Sequence, residues 1–156
     1  MTGLVKHIRP GEGPIHRLAA DRFTMKLEGM EDHAPYCLFE YEAAPGVPGP
    51  PLHVHHTFEE AWFILDGEVT FTLGDTVETG TRGSFLWVPR GAVHTFAVHG
   101  DAPARWVGIL SPGRYVAMLD ELGELLASTT MPAPDDMVAL FRRHDSEIVA
   151  PPGAAP

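Results

Sequence analysis

Cysteine is almost missing. Cys37 is the one cysteine in 156 residues, so no internal disulfide can form, and within an apolar run it reads as a buried strand residue rather than a nucleophile. Long apolar runs are missing too: nothing approaches the roughly 20 residues that span a bilayer, and the opening MTGLVKHIRPGEG lacks the apolar stretch of a signal peptide. A cytoplasmic location is therefore the expectation. Basic residues are scarce, with 11 Lys+Arg against 21 Asp+Glu and a formal net charge of −10. Such a surface repels phosphate backbones and anionic membranes, so neither nucleic acid nor a membrane is an expected partner. There is no Walker-type glycine-rich loop, and SPGR at 111–114 does not supply the G-x-S-x-G elbow of a serine hydrolase.

What is present suits a single globular domain. Hydrophobic residues at 44% and charged residues at 21% are ordinary for a soluble protein, and the length allows one core without disulfides. Apolar residues alternate in RFTMKLEG, and β-branched or aromatic residues dominate YCLFEYE, AWFIL, EVTFTL, SFLWVP, HTFAV and RWVGIL. These read as short strands. The punctuation between them, Asp66-Gly67, Leu73-Gly74-Asp75, Thr79-Gly80, Arg82-Gly83 and His99-Gly100-Asp101, is too closely spaced for helical crossovers and indicates antiparallel hairpins. An all-β sandwich or barrel follows.

After Ser111-Pro112-Gly113 the period changes. GRYVAMLDELGELLA carries its apolar residues at helical spacing, and PDDMVALFRRH opens on proline and two acids and closes on bases, as a helix should. The expected organisation is a β-barrel with its N-terminal strand over 1–111, a two-helix extension packed on the barrel or over its mouth over 112–146, and a disordered tail over 147–156.

The chemistry concentrates in PPLHVHHTFEEAWFILDGE, residues 50–68. His53 and His55 are two apart, so on an extended strand both imidazoles face one side. Glu60 follows five residues later, at the start of the next strand, on the face shared by Trp62 and Ile64. A second stretch, GSFLWVPRGAVHTFAV, places His94 after the Pro89-Arg90-Gly91 turn, which can deliver it beside the first strand pair. Three neutral imidazoles and one carboxylate suit a divalent transition metal ion, whether Fe, Mn, Ni, Cu, Co or Zn, better than Ca or Mg. Four protein ligands on an octahedral ion leave two positions open. A structural zinc site would more often be closed and cysteine-rich.

The two stretches resemble the paired motifs of the cupin superfamily, G-x5-H-x-H-x3,4-E-x6-G and G-x5-P-x-G-x2-H-x3-N. The first is carried by His53, His55, Glu60 and Gly67, the second by Gly83, Pro89, Gly91 and His94. Two positions depart: the leading glycine falls one place late, at Gly49 behind Pro48, and Val98 stands where the family often has Asn. Neither departure removes a ligand. The spacing to Gly67 selects Glu60 over Glu59, the alternative ligand. The resemblance implies an antiparallel cupin barrel, a double-stranded β-helix or jelly roll, with two C-terminal helices.

The arrangement is similar to small single-domain cupins of the quercetinase-like dioxygenase branch. That implies a phenolic or enolisable small-molecule substrate, with Glu60 both ligand and base toward a substrate hydroxyl. Trp62, Ile64, Phe96 and Val98 share a face with the candidate ligands and are candidate pocket walls, ordinary core packing being the alternative reading. The same ion used without redox would give a cupin isomerase or polyketide cyclase, and a pocket without turnover would give a binding module. Cupin barrels commonly pair through edge strands, so a homodimer through DRFTMKLEG is expected. His56 should face solvent, His7, His16, His33, His99 and His144 should be solvated, and Trp87 and Trp106 should pack in the core.

Overall fold

A computed structural model describes residues 5–29, 34–128 and 132–150. Its strands are β1 (Ile15–Leu18), β2 (Asp21–Glu28), β3 (Cys37–Ala43), β4 (Leu52–His55), β5 (Glu59–Asp66), β6 (Glu68–Leu73), β7 (Thr76–Thr81), β8 (Phe85–Val88), β9 (Val93–Ala97), β10 (Ala104–Ser111) and β11 (Ser146–Ala150). The helices are α1 (Val116–Ser128), entered through a 3₁₀ turn at Gly113–Tyr115, and α2 (Pro134–Arg143). One sheet runs β1-β2-β3-β10-β5-β8 and the other β11-β4-β9-β6-β7. All pairings are antiparallel. The expected all-β fold with two C-terminal helices is what forms.

Alternation in the sequence becomes sidedness in the sheets. In β3, Cys37, Phe39, Tyr41 and Ala43 are buried while Leu38, Glu40 and Glu42 lie on the more open face, and β10 repeats the pattern with Ala104, Trp106, Gly108 and Leu110 inward. Each large apolar side chain so buried contributes about 1.5–3 kcal/mol. Gly67 turns β5 into β6 with φ of 76°, and a Cβ there would lie 2.5 Å from the Pro103 carbonyl oxygen. Only glycine fits that turn.

Three expectations need correction. SEIVA, assigned to the helical extension and tail, is strand β11, whose register sets Ser146 opposite His55 and Ile148 opposite His53. Its backbone completes a ladder on β4, a long-range partner that local pattern does not show. The edge that DRFTMKLE offers a second subunit is shorter than expected, because β1 pairs with Asp21–Thr24 on one side while β3 runs along the other. Trp87 is 56% exposed rather than core. It sits on β8, an outer strand whose outward face no element among the described residues covers, beside exposed Phe63 and Phe85. Trp106, by contrast, is buried as expected. No helix among the described residues is long and apolar enough to cross a membrane.

Candidate metal centre

Two ladders assemble the site. Strand β4 carries His53 and His55, and the β4–β9 register sets His94 directly opposite His53. The turn before β9 is tied to the same strand by the Gly91 amide, which donates to the His55 carbonyl at 2.8 Å. Strand β5, from the facing sheet, brings in Glu60. The leading motif glycine stands at 49 because the chain there has φ of 71° and passes so close to β9 that a Cβ would lie 1.8 Å from the Phe96 carbonyl oxygen. The approach of Gly49 seats the β4 entry against the strand that carries His94.

All three histidines are buried, and each is held through Nδ1. His53 Nδ1–H donates to the Pro51 carbonyl at 2.7 Å and His94 Nδ1–H to the Ala92 carbonyl at 3.0 Å. A carbonyl only accepts, so in both rings the proton sits on Nδ1 and Nε2 keeps its lone pair. His55 Nδ1 lies 2.8 Å from Ser146 Oγ, whose own hydroxyl donates to the His144 carbonyl at 3.0 Å. Ser146 is therefore the acceptor, and His55 adopts the same tautomer.

The consequence is a cluster of inward lone pairs. One ligand nitrogen from each of His53, His55 and His94 lies within 4.8 Å of the others. His53 Nε2 and His55 Nε2 are 3.0 Å apart, a repulsive contact when neither bears hydrogen. Two nitrogens bound at about 2.1 Å to one ion and at right angles would stand about 3.0 Å apart. His94 Nε2 is buried without a hydrogen-bond partner. The carboxylate closes the group, Glu60 Oε1 lying 3.1 Å from His55 Nε2 and Oε2 3.7 Å from His94 Nε2. An orphaned nitrogen, facing lone pairs and an adjacent carboxylate fit a divalent transition metal ion.

The electrostatics agree. Burial pushes His53 down to about 3, reinforced by His94 and His55 beside it, and burial likewise lowers His55. Burial alone would raise Glu60, but the His55 and His94 imidazoles beside it favour its charged form and hold the carboxyl well below its ordinary range. Burial works against a charge on His94 as well, yet the Glu60 carboxylate beside it raises it. Mostly neutral imidazoles beside an ionised carboxylate are the protonation states a metal requires.

The centre opens on a cavity of about 860 Å³ between the sheets and the C-terminal helices. His53, His55 and Glu60 line it, as do the expected Trp62 and Phe96. Ile64 and Val98 do not; both are buried in the core. Glu59, one residue from Glu60 on an extended strand, faces the other way. His56 is exposed as expected, whereas His16 and His144 meet Asp120 and Glu121; His33 lies outside the described residues. Sequence reasoning missed Phe58, stacked on His55 at 3.7 Å between ring centroids, and Tyr115, packed on Phe58. It also missed Ser146, 91 residues from the histidine it holds.

Residues 39–110 match the family model described as Cupin domain. Solved structures share the fold. The polyketide cyclase RemF from Streptomyces resistomycificus superposes with a TM-score of 0.61 at 19% identity, over 69% of this chain and 80% of that one. A predicted oxalate decarboxylase from Thermotoga maritima gives 0.61 at 18%, over 68% and 98%. A conserved protein with a double-stranded β-helix domain from Klebsiella pneumoniae gives 0.50 at 24%, over 68% and 84%. No curated protein sequence matches.

Proposed function

We propose that this cupin-fold chain is a metal-dependent enzyme acting on a small phenolic or enolisable substrate, a dioxygenase of the quercetinase-like type. The observation that carries the reading is the convergence of three Nε2 lone pairs and the Glu60 carboxylate at the wall of a large aromatic cavity. His53, His55, His94 and Glu60 would hold the ion. When bound, such an ion supplies Lewis acidity toward substrate oxygen and, for a redox metal, one-electron chemistry with dioxygen.

The chain's own residues supply the rest. Glu60, ionised and within reach of the cavity, takes the proton of a substrate hydroxyl onto a carboxylate oxygen. Trp62, Trp106 and Phe96 orient a flat ring, and the apolar walls keep bulk water from the reacting end. No lysine or arginine is among the described lining residues, which favours a neutral substrate over a sugar phosphate or a small dicarboxylate.

The RemF fold supports a second reading, the same site used without redox in a polyketide cyclase or isomerase. Metal analysis of purified protein beside a His53→Ala/His55→Ala variant, followed by oxygen-electrode assays with flavonols and other enolisable phenols, tests both. About one redox metal per chain, lost in the variant, with oxygen uptake, supports the dioxygenase. Zinc with substrate turnover but no oxygen uptake moves the assignment to the cyclase. No metal in either protein, even after soaking in divalent ions, removes the catalytic reading and leaves a binding module.

A further inference from the structure

The cavity has a second polar pole that the metal centre does not use. Asp21, at the start of β2, and Tyr41, on β3, both line it and are both buried. Tyr41 OH donates to Asp21 Oδ2 at 2.5 Å and the Ala44 amide donates to Oδ1 at 3.0 Å. An ionised carboxylate offers about four acceptor positions, so about two remain. Apart from Glu60, Asp21 is the one carboxylate among the described lining residues. Burial raises its pKa against the two hydrogen bonds that lower it, which marks a charge short of donors.

Strand register gives the separation. Glu60 lies opposite Leu110, while Trp106 lies opposite Ile64 on one side and Tyr41 on the other. Tyr41 is thus four residues further along the sheet than Glu60, about 13 Å at about 3.3 Å per residue. Between the poles the walls are flat. The Tyr41 ring stacks on Trp106 at 4.2 Å and 11°, Trp106 runs nearly parallel to Trp62 at 22°, and Phe96 stands edge-on to all three.

We propose that Asp21, held by Tyr41 and the Ala44 amide, is a specificity anchor. It accepts a hydrogen bond from a hydroxyl at the end of a planar, neutral, two- to three-ring ligand remote from the metal-binding oxygens. The proposal rests on the phenolic reading above and narrows it to ligands carrying oxygen at both ends. A purely structural clip joining β2 to the end of β3 would also use Asp21, but would have no reason to discriminate between ligands.

The test is a matched pair of probes, 3-hydroxyflavone and the analogue with one further hydroxyl at the tip of its pendant ring. Both are titrated anaerobically into metal-loaded protein by quenching of tryptophan fluorescence. The expected result is about ten-fold tighter binding of the second probe to the wild type, the size of a hydrogen bond to a charged acceptor. Asp21→Ala abolishes that preference and shifts 3-hydroxyflavone by less than about two-fold, since that probe gives Asp21 nothing to accept. Tyr41→Phe keeps or enlarges the preference, because it frees Oδ2.

Equal binding of the two probes by the wild type, a preference that survives in Asp21→Ala, or its loss in Tyr41→Phe would overturn the anchor. Should Asp21→Ala not fold, Asp21→Asn, which retains an acceptor for the Ala44 amide, is read instead. A preference reduced at least about three-fold supports the anchor, and an unchanged one overturns it. Failure of both probes to bind the wild type would sink the phenolic reading and the anchor with it, whereas equal tight binding sinks the anchor alone.

Discussion

Replacing Ser146 by alanine should weaken metal binding without touching a ligand. The Ser146 hydroxyl accepts the His55 Nδ1–H at 2.8 Å and passes its own hydrogen to the His144 carbonyl at 3.0 Å, in a position that is 3% exposed. Without it, the His55 Nδ1–H is buried and unsatisfied, at a cost of about 1–3 kcal/mol. The imidazole can escape that cost by moving its proton to Nε2 or by rotating, and either change removes the lone pair the metal needs. Loss of such a supporting hydrogen bond typically lowers affinity about 10- to 100-fold, or about 1.4–2.7 kcal/mol. The assay is competition for Zn²⁺ or Co²⁺ against a chromophoric chelator, with urea denaturation of the metal-free protein alongside. Ser146→Thr, which keeps the hydroxyl, should recover most of the affinity. Affinity within two-fold of wild type in Ser146→Ala, with only the urea midpoint lowered, would refute the argument and leave Ser146 as a link between strands.

Acid should destabilise the metal-free protein before it reaches the carboxylates. The folded chain holds His53 near 3 against an ordinary 6.5, so the unfolded state binds the extra proton and stability falls by about 1.4 kcal/mol per pH unit below about 6.5. His55 is shifted the same way and His94 oppositely, by the Glu60 carboxylate beside it. A urea midpoint that does not decrease between pH 7 and pH 5 would contradict the net sign. Gly49→Ala puts a methyl into the Phe96 carbonyl at a positive φ and should cost more than about 2 kcal/mol by urea titration; a change under about 0.5 kcal/mol would mean the loop moves aside freely. The homodimer is now proposed to close on the β8 face, where Phe63, Phe85 and Trp87 are exposed. Light scattering should give twice the chain mass for the wild type and the single mass for Trp87→Glu, and a wild-type monomer would dispose of the proposal.

The residues of the candidate metal centre were legible because each spacing acts over a short distance. Two histidines at i and i+2 share a strand face, six residues separate Glu60 from the glycine that turns the chain, and the Pro89-Arg90-Gly91 turn immediately precedes His94's strand. What escaped notice depends on partners far away. Ser146 has meaning only once two helices have carried the chain back to β4, and Asp21 only once β2 has paired with β3 and set it against Tyr41. Trp87 misled for a related reason: FLWV is apolar on both faces, and alternation cannot tell an uncovered outer strand from a covered one.

That division has a functional reading. The candidate ligands lie on strands β4, β5 and β9, within the part of the chain that matches the Cupin domain, whereas Ser146 and Asp21 lie on strands outside it, after and before it in sequence. On the proposed reading the common motif would account for holding an ion, and the flanking strands for how firmly His55 is oriented and for what stands at the far end of the cavity. If so, truncation after residue 145 should lower metal affinity at least as much as Ser146→Ala, since β11 pairs along β4 from His55 to Leu52 and its removal frees the ligand strand's edge as well as the His55 proton. Chelator competition on the folded truncated chain, verified by circular dichroism, decides it. Wild-type affinity there would mean that β4 keeps both histidines in place without support.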